Sequence, residues 1–463
     1  MSGTDDLLHE TADIAAEYLR RVRERPVGPH IGHAVLAKEL GGELPDGPAD
    51  AATVVSELAA AIEPGLVGSV GPRYFGFVIG GGVPAAVAAD WLTSVWDQNA
   101  GLYAAGPGAA VVEDVAGAWL LDLLGLPGTA SVGFVTGATM ANFTGLAAAR
   151  HTVLDRVGWN VEAEGLVGAP KVRVVVGAER HASVDVALRY LGLGANTAEI
   201  IPVDDQGRLR VDALHETLAD GRDEPLIVCA QAGNVNTGSF DPIDEICAVV
   251  HEGGGWVHVD GAFGLWAAAS ESLRTLVAGI DRADSWATDA HKWLNVPYDC
   301  GLVFIADPAA HHAAMNLTGS YLQAGAPGER DAYNFTPESS RRARGIPVYA
   351  ALRALGRSGV ASVVESCCAH ARRFADALRG LDGVDVLNDV VLNQVLVRFD
   401  NDDDVTRAVV SAVQADGTCW LSGTVWQGRA AMRISVCNWS TTTDDVDQSV
   451  AAILRCYATV RNR

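Results

Sequence analysis

The stretch ADSWATDAHKWLNVPYDCGLVFIAD, residues 283–307, holds two short apolar runs around a polar centre that contains a lysine. Lys292 stands between His291 and Trp293, just after the first run. Upstream, similar runs occur at KVRVVVG (171–177), PLIVCAQ (225–231) and GWVHVDG (255–261). Most are separated by segments with helical patterning, among them SVDVALRYLG, RVDALHETLAD and DEICAVVHEGG. Strand-then-helix alternation from about residue 84 to 351 predicts an α/β unit, a mainly parallel sheet with helices on both faces. Ligands of such sheets sit beyond the carboxyl ends of the strands, so the residues just after each run matter first.

Residues 1–83 read as a helical segment: DLLHETADIAAEYLRRV and ADAATVVSELAAAI place apolar residues at helical spacing, with Gly/Pro-rich breaks between. Residues 352–463 read as a smaller α+β domain, helix alternating with DVLNDVVLNQVLVRF and RAAMRISVCNW. The chain of 463 residues is 49% hydrophobic, ample for more than one structural unit. Its net charge of −23 argues against a phosphate backbone as partner. The acidic, amphipathic N-terminus is unlike a secretory signal, and no stretch is long and apolar enough to span a membrane. The eight scattered cysteines read as reduced thiols, and a cytoplasmic location is expected.

Strand ends supply a convergent set: Ala138 and Thr139 after SVGFVT, His181 after VRVVVGAER, Asn234 after IVCAQAG, Asp260 closing WVHVD, and Lys292. Each has an ordinary explanation. The TGAT turn is a plain strand-to-helix turn unless a phosphate uses it; His181 and Asp260 are natural helix caps; a lone lysine snorkels. Together they form one chemical kit. Pyridoxal phosphate (PLP) requires an amine to carry it, a carboxylate to keep its ring nitrogen protonated, and a phosphate cradle. The amine must be partly desolvated to react, and Trp293 and Pro297 are placed to exclude water from it.

The segments GFVTGATMANFTGLAAAR (133–150), WVHVDGAFG (256–264) and TDAHKWLNVPYDCG (288–301) resemble those of the group II PLP-dependent decarboxylases, the family of aromatic L-amino-acid and glutamate decarboxylases. The likeness runs from about residue 70 to RISVCNWSTTTDDVD near the C-terminus. It implies fold type I of the PLP enzymes, with a mainly parallel seven-stranded sheet. Lys292 is then the Schiff-base lysine, Asp260 the partner of the pyridine nitrogen, and His181 the residue stacked on the ring. Ala262 packs on the opposite face, and Ala138, Thr139 and His291 serve the phosphate. Tyr321, in NLTGSYLQAG, corresponds to the family's mobile-loop tyrosine, which reprotonates the α-carbon; related aldehyde synthases carry phenylalanine there. Ser340, in ESSRRARG (338–345), reaches a neighbouring subunit's phosphate, which implies a homodimer with interfacial sites. Read without the resemblance, ESSRRARG is a solvated helix start. No metal is expected.

Three departures stand out. Asp289 replaces the usual asparagine of Asn-Pro-His-Lys and would repel a phosphate unless it turns away or is protonated. Asn234, Val235 and Asn236 replace a run of threonines, so an asparagine is expected at the ring edge. GPRYFGFVIGGG keeps Tyr74, Phe75 and Phe77 as an aromatic substrate pocket but has Val78 where another aromatic is common. The expected activity is α-decarboxylation of an L-amino acid to its amine. The alternatives are another PLP-dependent reaction at the α-carbon (aldehyde formation or transamination), a nucleotide-binding α/β protein without PLP, and a catalytically dead relative. Against the nucleotide reading, no G-x-x-x-x-G-K-[ST] occurs and GFVIGGGVPAA is no dinucleotide fingerprint.

Overall fold

A computed structural model describes residues 2–29, 31–220, 224–317, 326 and 328–462. By compactness the chain forms two units: Gly80–Arg372 with Asn388–Val395, and Met1–Ile79 with Arg373–Leu387 and Leu396–Arg463. The boundaries read from sequence, near 83 and 351, divide it differently: most of 1–83 and of 352–463 falls in the second of these units.

In chain order the strands are β1 (Tyr74–Phe75), β2 (Ser131–Val135), β3 (Arg173–Gly177), β4 (Glu199–Ile201), β5 (Leu226–Gln231), β6 (Trp256–Asp260), β7 (Ser285–Asp289), β8 (Gly301–Ile305), β9 (Val384–Val386), β10 (Gln394–Phe399), β11 (Trp420–Trp426) and β12 (Arg429–Ser435). The seven-stranded sheet runs β2-β8-β7-β6-β5-β3-β4. Its strands are parallel except β8, which is antiparallel to both neighbours. The opening stretch explains the exception. The connection Ala290–Cys300 is shorter than the roughly dozen residues a parallel return needs, so β8 turns back beside β7. The middle strands are buried on both faces: Val174, Val175, Val176, Ile227, Val228, Val257 and Val259 are all at most 2% exposed. Their β-branched side chains suit a pleated surface covered by helices on each side.

The helix Ala138–Asp155 lies against this sheet and contributes Ala141, Leu146, Ala147, Ala148, Ala149, Val153 and Leu154 to the buried interior. A Cβ on Gly301 would lie 2.5 Å from the Gly137 backbone, so a glycine is needed where the helix start meets β8. A five-stranded sheet has the order β1-β11-β12-β10-β9, with β1 parallel to β11 and β11 antiparallel to β12. Among the described residues no helix is long and apolar enough to cross a membrane. All eight cysteines are buried free thiols.

Burial shifts the protonation of several interior groups, among them His258, His311 and Asp241. His258 is pushed down from 6.5 to about 4 and His311 to about 3, chiefly by desolvation. Asp241 moves up from 3.8 to about 6: burial outweighs the N–H bonds it accepts from Leu209 and Gln231. Above pH about 6.5 both histidines are neutral in the folded and unfolded chain, and their contribution to stability is full. Below it the unfolded chain takes up two protons that the folded chain refuses. Below pH about 6 the folded chain gains one on Asp241 that the unfolded chain lacks. These groups should therefore remove about 1.4 kcal/mol of stability per pH unit between about 6 and about 4. Urea melts at pH 7, 6 and 5 check this. His311→Gln removes one of these protons and should lower the slope by about 1.4 kcal/mol per pH unit; an unchanged slope in that variant would contradict the assignment.

Candidate active site

β2, β3, β5, β6 and β7 all point the same way, so their carboxyl ends line one edge of the sheet. Gly137 and Ala138 follow β2, His181 follows β3, Asn234 follows β5, Asp260 ends β6 and Asp289 ends β7. Topology alone thus brings together residues more than a hundred positions apart.

Hydrogen bonds tie most of them into one path. The Lys292 Nζ lies 2.9 Å from Asp289 Oδ2. The other oxygen, Asp289 Oδ1, accepts the Ala138 backbone N–H at 2.6 Å, at the head of the helix Ala138–Asp155. One turn on, Asn142 of the same helix donates from Nδ2 to Asp260 Oδ2 at 3.1 Å and stands 3.1 Å from Ser183 Oγ. Ser183 Oγ is 2.7 Å from His181 Nδ1. Lys292, Asp289, the helix start, Asp260 and His181 are therefore one connected constellation. His181 and Asp260 also line a common small cavity with Gly177, Cys229 and Gln231.

Asp289 resolves the charge question raised by the sequence. It is 2% exposed, and its carboxylate caps the helix whose N-cap, Gly137, offers no side chain of its own. The positive end of the helix dipole and the Lys292 ammonium both favour a negative charge there. His291 Nε2 is 3.6 Å from the same Oδ1, and burial lowers the His291 pKa, with Asp289 acting in the opposite direction. The His291 ring packs at 4.3 Å from that of Tyr298, and its Nδ1 accepts the Cys300 N–H at 3.3 Å. Lys292 keeps 19% of its side chain exposed, beside the fully buried Trp293. A buried carboxylate accompanies the apolar wall.

The Asp260 Oδ1 accepts the Ala262 N–H at 3.2 Å, which orients the carboxylate at the strand end. Ala262 in turn accepts the Asp289 N–H at 2.9 Å through its carbonyl, stitching β6 to β7 at the site. His181 is the N-cap of the helix Ala182–Tyr190, its Nδ1 accepting the Ser183 N–H, so the ordinary reading of this residue holds alongside its place next to Asp260. Thr139 is exposed on the first turn of the Ala138 helix.

Other candidates lie differently. Asn234 is buried, and its carboxamide serves its own turn: Nδ2 donates to the Glu179 carbonyl and Gln231 Oε1, and Oδ1 accepts from the Asn236 and Thr237 N–H groups. Tyr74 and Phe75 form β1 in the other compact unit, where Tyr74 stacks on Trp420 at 5.1 Å and Phe75 meets Phe374 edge-on at 5.0 Å. Phe77 of that unit is 58% exposed. Tyr321 lies outside the described residues. Ser340 is exposed, but the cluster around it is no solvated helix start. Arg341 pairs with Glu113 at 2.9 Å, Arg342 with Asp90 at 2.7 Å and Arg344 with Asp299 at 2.8 Å. Sequence reasoning passed over Asn142 and Ser183. The signal was faint: two small polar residues in the first turns of their helices, both within reach of the strand-end acid Asp260.

A family model described as the pyridoxal-dependent decarboxylase conserved domain matches residues 35–400. The chain belongs to the pyridoxal-dependent decarboxylases. It is 27% identical over 459 residues to an aromatic-L-amino-acid decarboxylase of Bacillus atrophaeus, covering 96% of this chain and 93% of that one. It is 29% identical over 381 residues to an L-2,4-diaminobutyrate decarboxylase of Rhizobium meliloti (80% and 74%). A crystal structure of Oryza sativa TDC with PLP and tryptamine superposes with a TM-score of 0.92, over 99% of this chain and 98% of that one, at 24% identity. The fold is thus that of the fold type I PLP enzymes, and the protein is a PLP-dependent carboxy-lyase of the group II decarboxylase family.

The donor set suits this cofactor. A lysine amine, a strand-end carboxylate and a helix start without its own side-chain cap are the three groups PLP calls for, and an imidazole stands beside them. The Ala138 N–H, one donor a phosphate would use, is held by Asp289. Phosphate binding at this helix start therefore requires the Asp289 carboxylate to yield that hydrogen bond.

Proposed function

We propose that the protein removes the α-carboxylate of an L-amino acid as CO2 and releases the corresponding amine, with Lys292 as the amine that carries the cofactor. The observation that carries this reading is the continuous path from Lys292 through Asp289 and the Ala138 helix to Asp260 and His181. When bound, PLP supplies the electron sink for the bond pair left at the α-carbon as CO2 departs. Asp260 would hold the proton on the ring nitrogen, and His181 and Ala262 would be the residues that bracket the ring. Thr139, His291 and, once Asp289 yields the Ala138 N–H, the first N–H groups of the Ala138 helix would hold the phosphate. Asn234 shapes the loop at the ring edge. Tyr321 delivers the proton that replaces the carboxylate on the α-carbon.

Product analysis tests the reading. Across a panel of aromatic, acidic, branched and hydroxy amino acids, one class should give CO2 and amine in equal amounts. Tyr321→Phe should divert product toward aldehyde and ammonia with consumption of oxygen. Ammonia and peroxide from the unaltered protein, or a need for an amino-group acceptor, would overturn simple decarboxylation.

A homodimer is part of the same reading. The helix Pro84–Trp96 exposes Trp91, Leu92, Val95 and Trp96, each at least 44% accessible, a contiguous apolar face that a second copy would cover. Ser340, exposed on its loop, is then available to the partner's phosphate. Light scattering should give twice the chain mass, and Trp96→Glu should shift it toward the monomer; a monomeric unaltered protein would refute the arrangement. We place the protein in the cytoplasm, where its eight free thiols stay reduced.

A further inference from the structure

Behind Asp260 lies a file of buried polar groups that the reaction chemistry does not use. Trp256 Nε1 is 2.9 Å from Ser285 Oγ. Ser285 Oγ is 2.8 Å from His258 Nδ1, and His258 Nε2 is 2.9 Å from Asn142 Oδ1. Asn142 Nδ2 reaches Asp260 Oδ2 and Ser183 Oγ, each at 3.1 Å, and Ser183 Oγ reaches His181 Nδ1 at 2.7 Å. Trp256, Ser285, His258, Asn142 and Asp260 are all at most 3% exposed, so water does not compete for these bonds.

The two ends fix the direction of every hydrogen. An indole N–H only donates and a carboxylate only accepts. Turning the Asn142 amide over would set its oxygen against the Asp260 carboxylate, so the nitrogen faces Asp260 and the oxygen faces His258. His258 must then carry its proton on Nε2, and its bare Nδ1 takes the Ser285 hydroxyl hydrogen, leaving the Ser285 oxygen to accept from Trp256. Burial keeps this ring neutral, its pKa down at about 4. Asn142 is the branch point: one hydrogen goes to Asp260 and the other to Ser183. Ser183 has a single hydrogen, and its 2.7 Å contact with His181 Nδ1 takes precedence over its 3.4 Å contact with Asp260. His181 Nδ1, which also accepts the Ser183 N–H, is thereby kept bare. Gly145 makes room for the file: a Cβ there would lie 2.7 Å from His258 Cε1. A glycine in mid-helix costs about 0.5–1 kcal/mol relative to alanine, a cost offset if the His258 ring must fit.

We propose that the file Trp256–Ser285–His258–Asn142 is a one-way donor relay that fixes the orientation of Asp260 and the tautomer of His181, with Asn142 and His258 as positioning residues for the cofactor ring. The proposal rests on Asp260 facing the ring nitrogen. It predicts that the protein discriminates PLP from 1-deaza-PLP, in which that nitrogen is replaced by carbon, through the relay as well as through Asp260. Dissociation constants for both cofactors, read by quenching of tryptophan fluorescence, give the preference for PLP in each variant.

Asn142→Ala is expected to reduce the preference about tenfold, the worth of one hydrogen bond to a charged group, and Asp260→Ala to abolish it. Gly145→Ala, which alters no polar atom, should also reduce it. If Asp260→Ala abolishes the preference while Asn142→Ala and Gly145→Ala leave it within twofold, the relay is refuted and the role of Asp260 stands. If Asp260→Ala leaves it unchanged, the assignment of Asp260 fails and the relay with it. A second readout needs no variant to fold well: 15N spectra of histidine-labelled wild-type protein should show His258 protonated on Nε2 alone. A proton on Nδ1 would overturn the relay.

Discussion

Lys292→Ala is expected to yield a folded protein whose turnover, with PLP in excess, is reduced roughly 10³- to 10⁶-fold. Its side chain makes one strong contact, the 2.9 Å pair with Asp289, and 19% of it remains exposed. Removing it leaves Asp289 its Ala138 N–H and the neighbouring His291, so the carboxylate is not stranded. The stability loss should stay within about 1–3 kcal/mol, far smaller than the loss of activity. That split separates a chemical role from a structural one. A variant that unfolds, or one that keeps a tenth of wild-type turnover, would contradict the role given to Lys292. Denaturant melts beside single-turnover amine release measure both sides.

Arg341→Met is expected to produce the opposite split, a loss of about 3–5 kcal/mol of stability. Arg341 has no exposed side-chain surface and Glu113 has 2%, and they pair at 2.9 Å. The same guanidinium donates to the carbonyls of Ala100 at 2.7 Å and Phe134 at 2.6 Å. Without it, Glu113 loses its paired cation, with only the longer-range charge of Arg330 left to offset it, and two carbonyls lose their donor. Even in the intact protein, among the described residues, Glu113 Oε1 and Arg341 Nε have no hydrogen-bond partner, so the pair already carries unsatisfied buried atoms. Adding Glu113→Leu should recover part of the loss by removing the stranded charge, while the carbonyls stay unsatisfied. A single-variant loss below about 1 kcal/mol in urea melts would show that the pair is hydrated in solution.

These two residues also mark how far the sequence could be read. Lys292 was legible because it follows an apolar run and carries neighbours of a known kind. Arg341 was not: its partners are 228 and 241 positions away, and only the fold brings them together. The basic cluster around it therefore read as a surface feature. Strands β3, β5, β6, β7 and β8 stood out as continuous apolar runs because both faces are covered. β11 mixes buried and exposed residues irregularly, β4 is half exposed at the sheet edge, and β1 has two residues, so none carried a comparable signal. Asp289 was singled out as a charge in the wrong place, and the fold shows why it is tolerated: a lysine on one side and a helix start on the other. His258 lay in plain view within WVHVD, yet a histidine in a buried strand shows its role only once Asn142 and Ser285 are found beside it.

The most direct measurement is an absorbance titration of the purified protein with PLP, run in parallel on the unaltered chain and Lys292→Ala. The account predicts that the unaltered chain develops, in a one-to-one ratio, the visible band that PLP acquires when carried by a lysine amine, and that the variant does not. No band in the unaltered chain, or the same band in both, would contradict it.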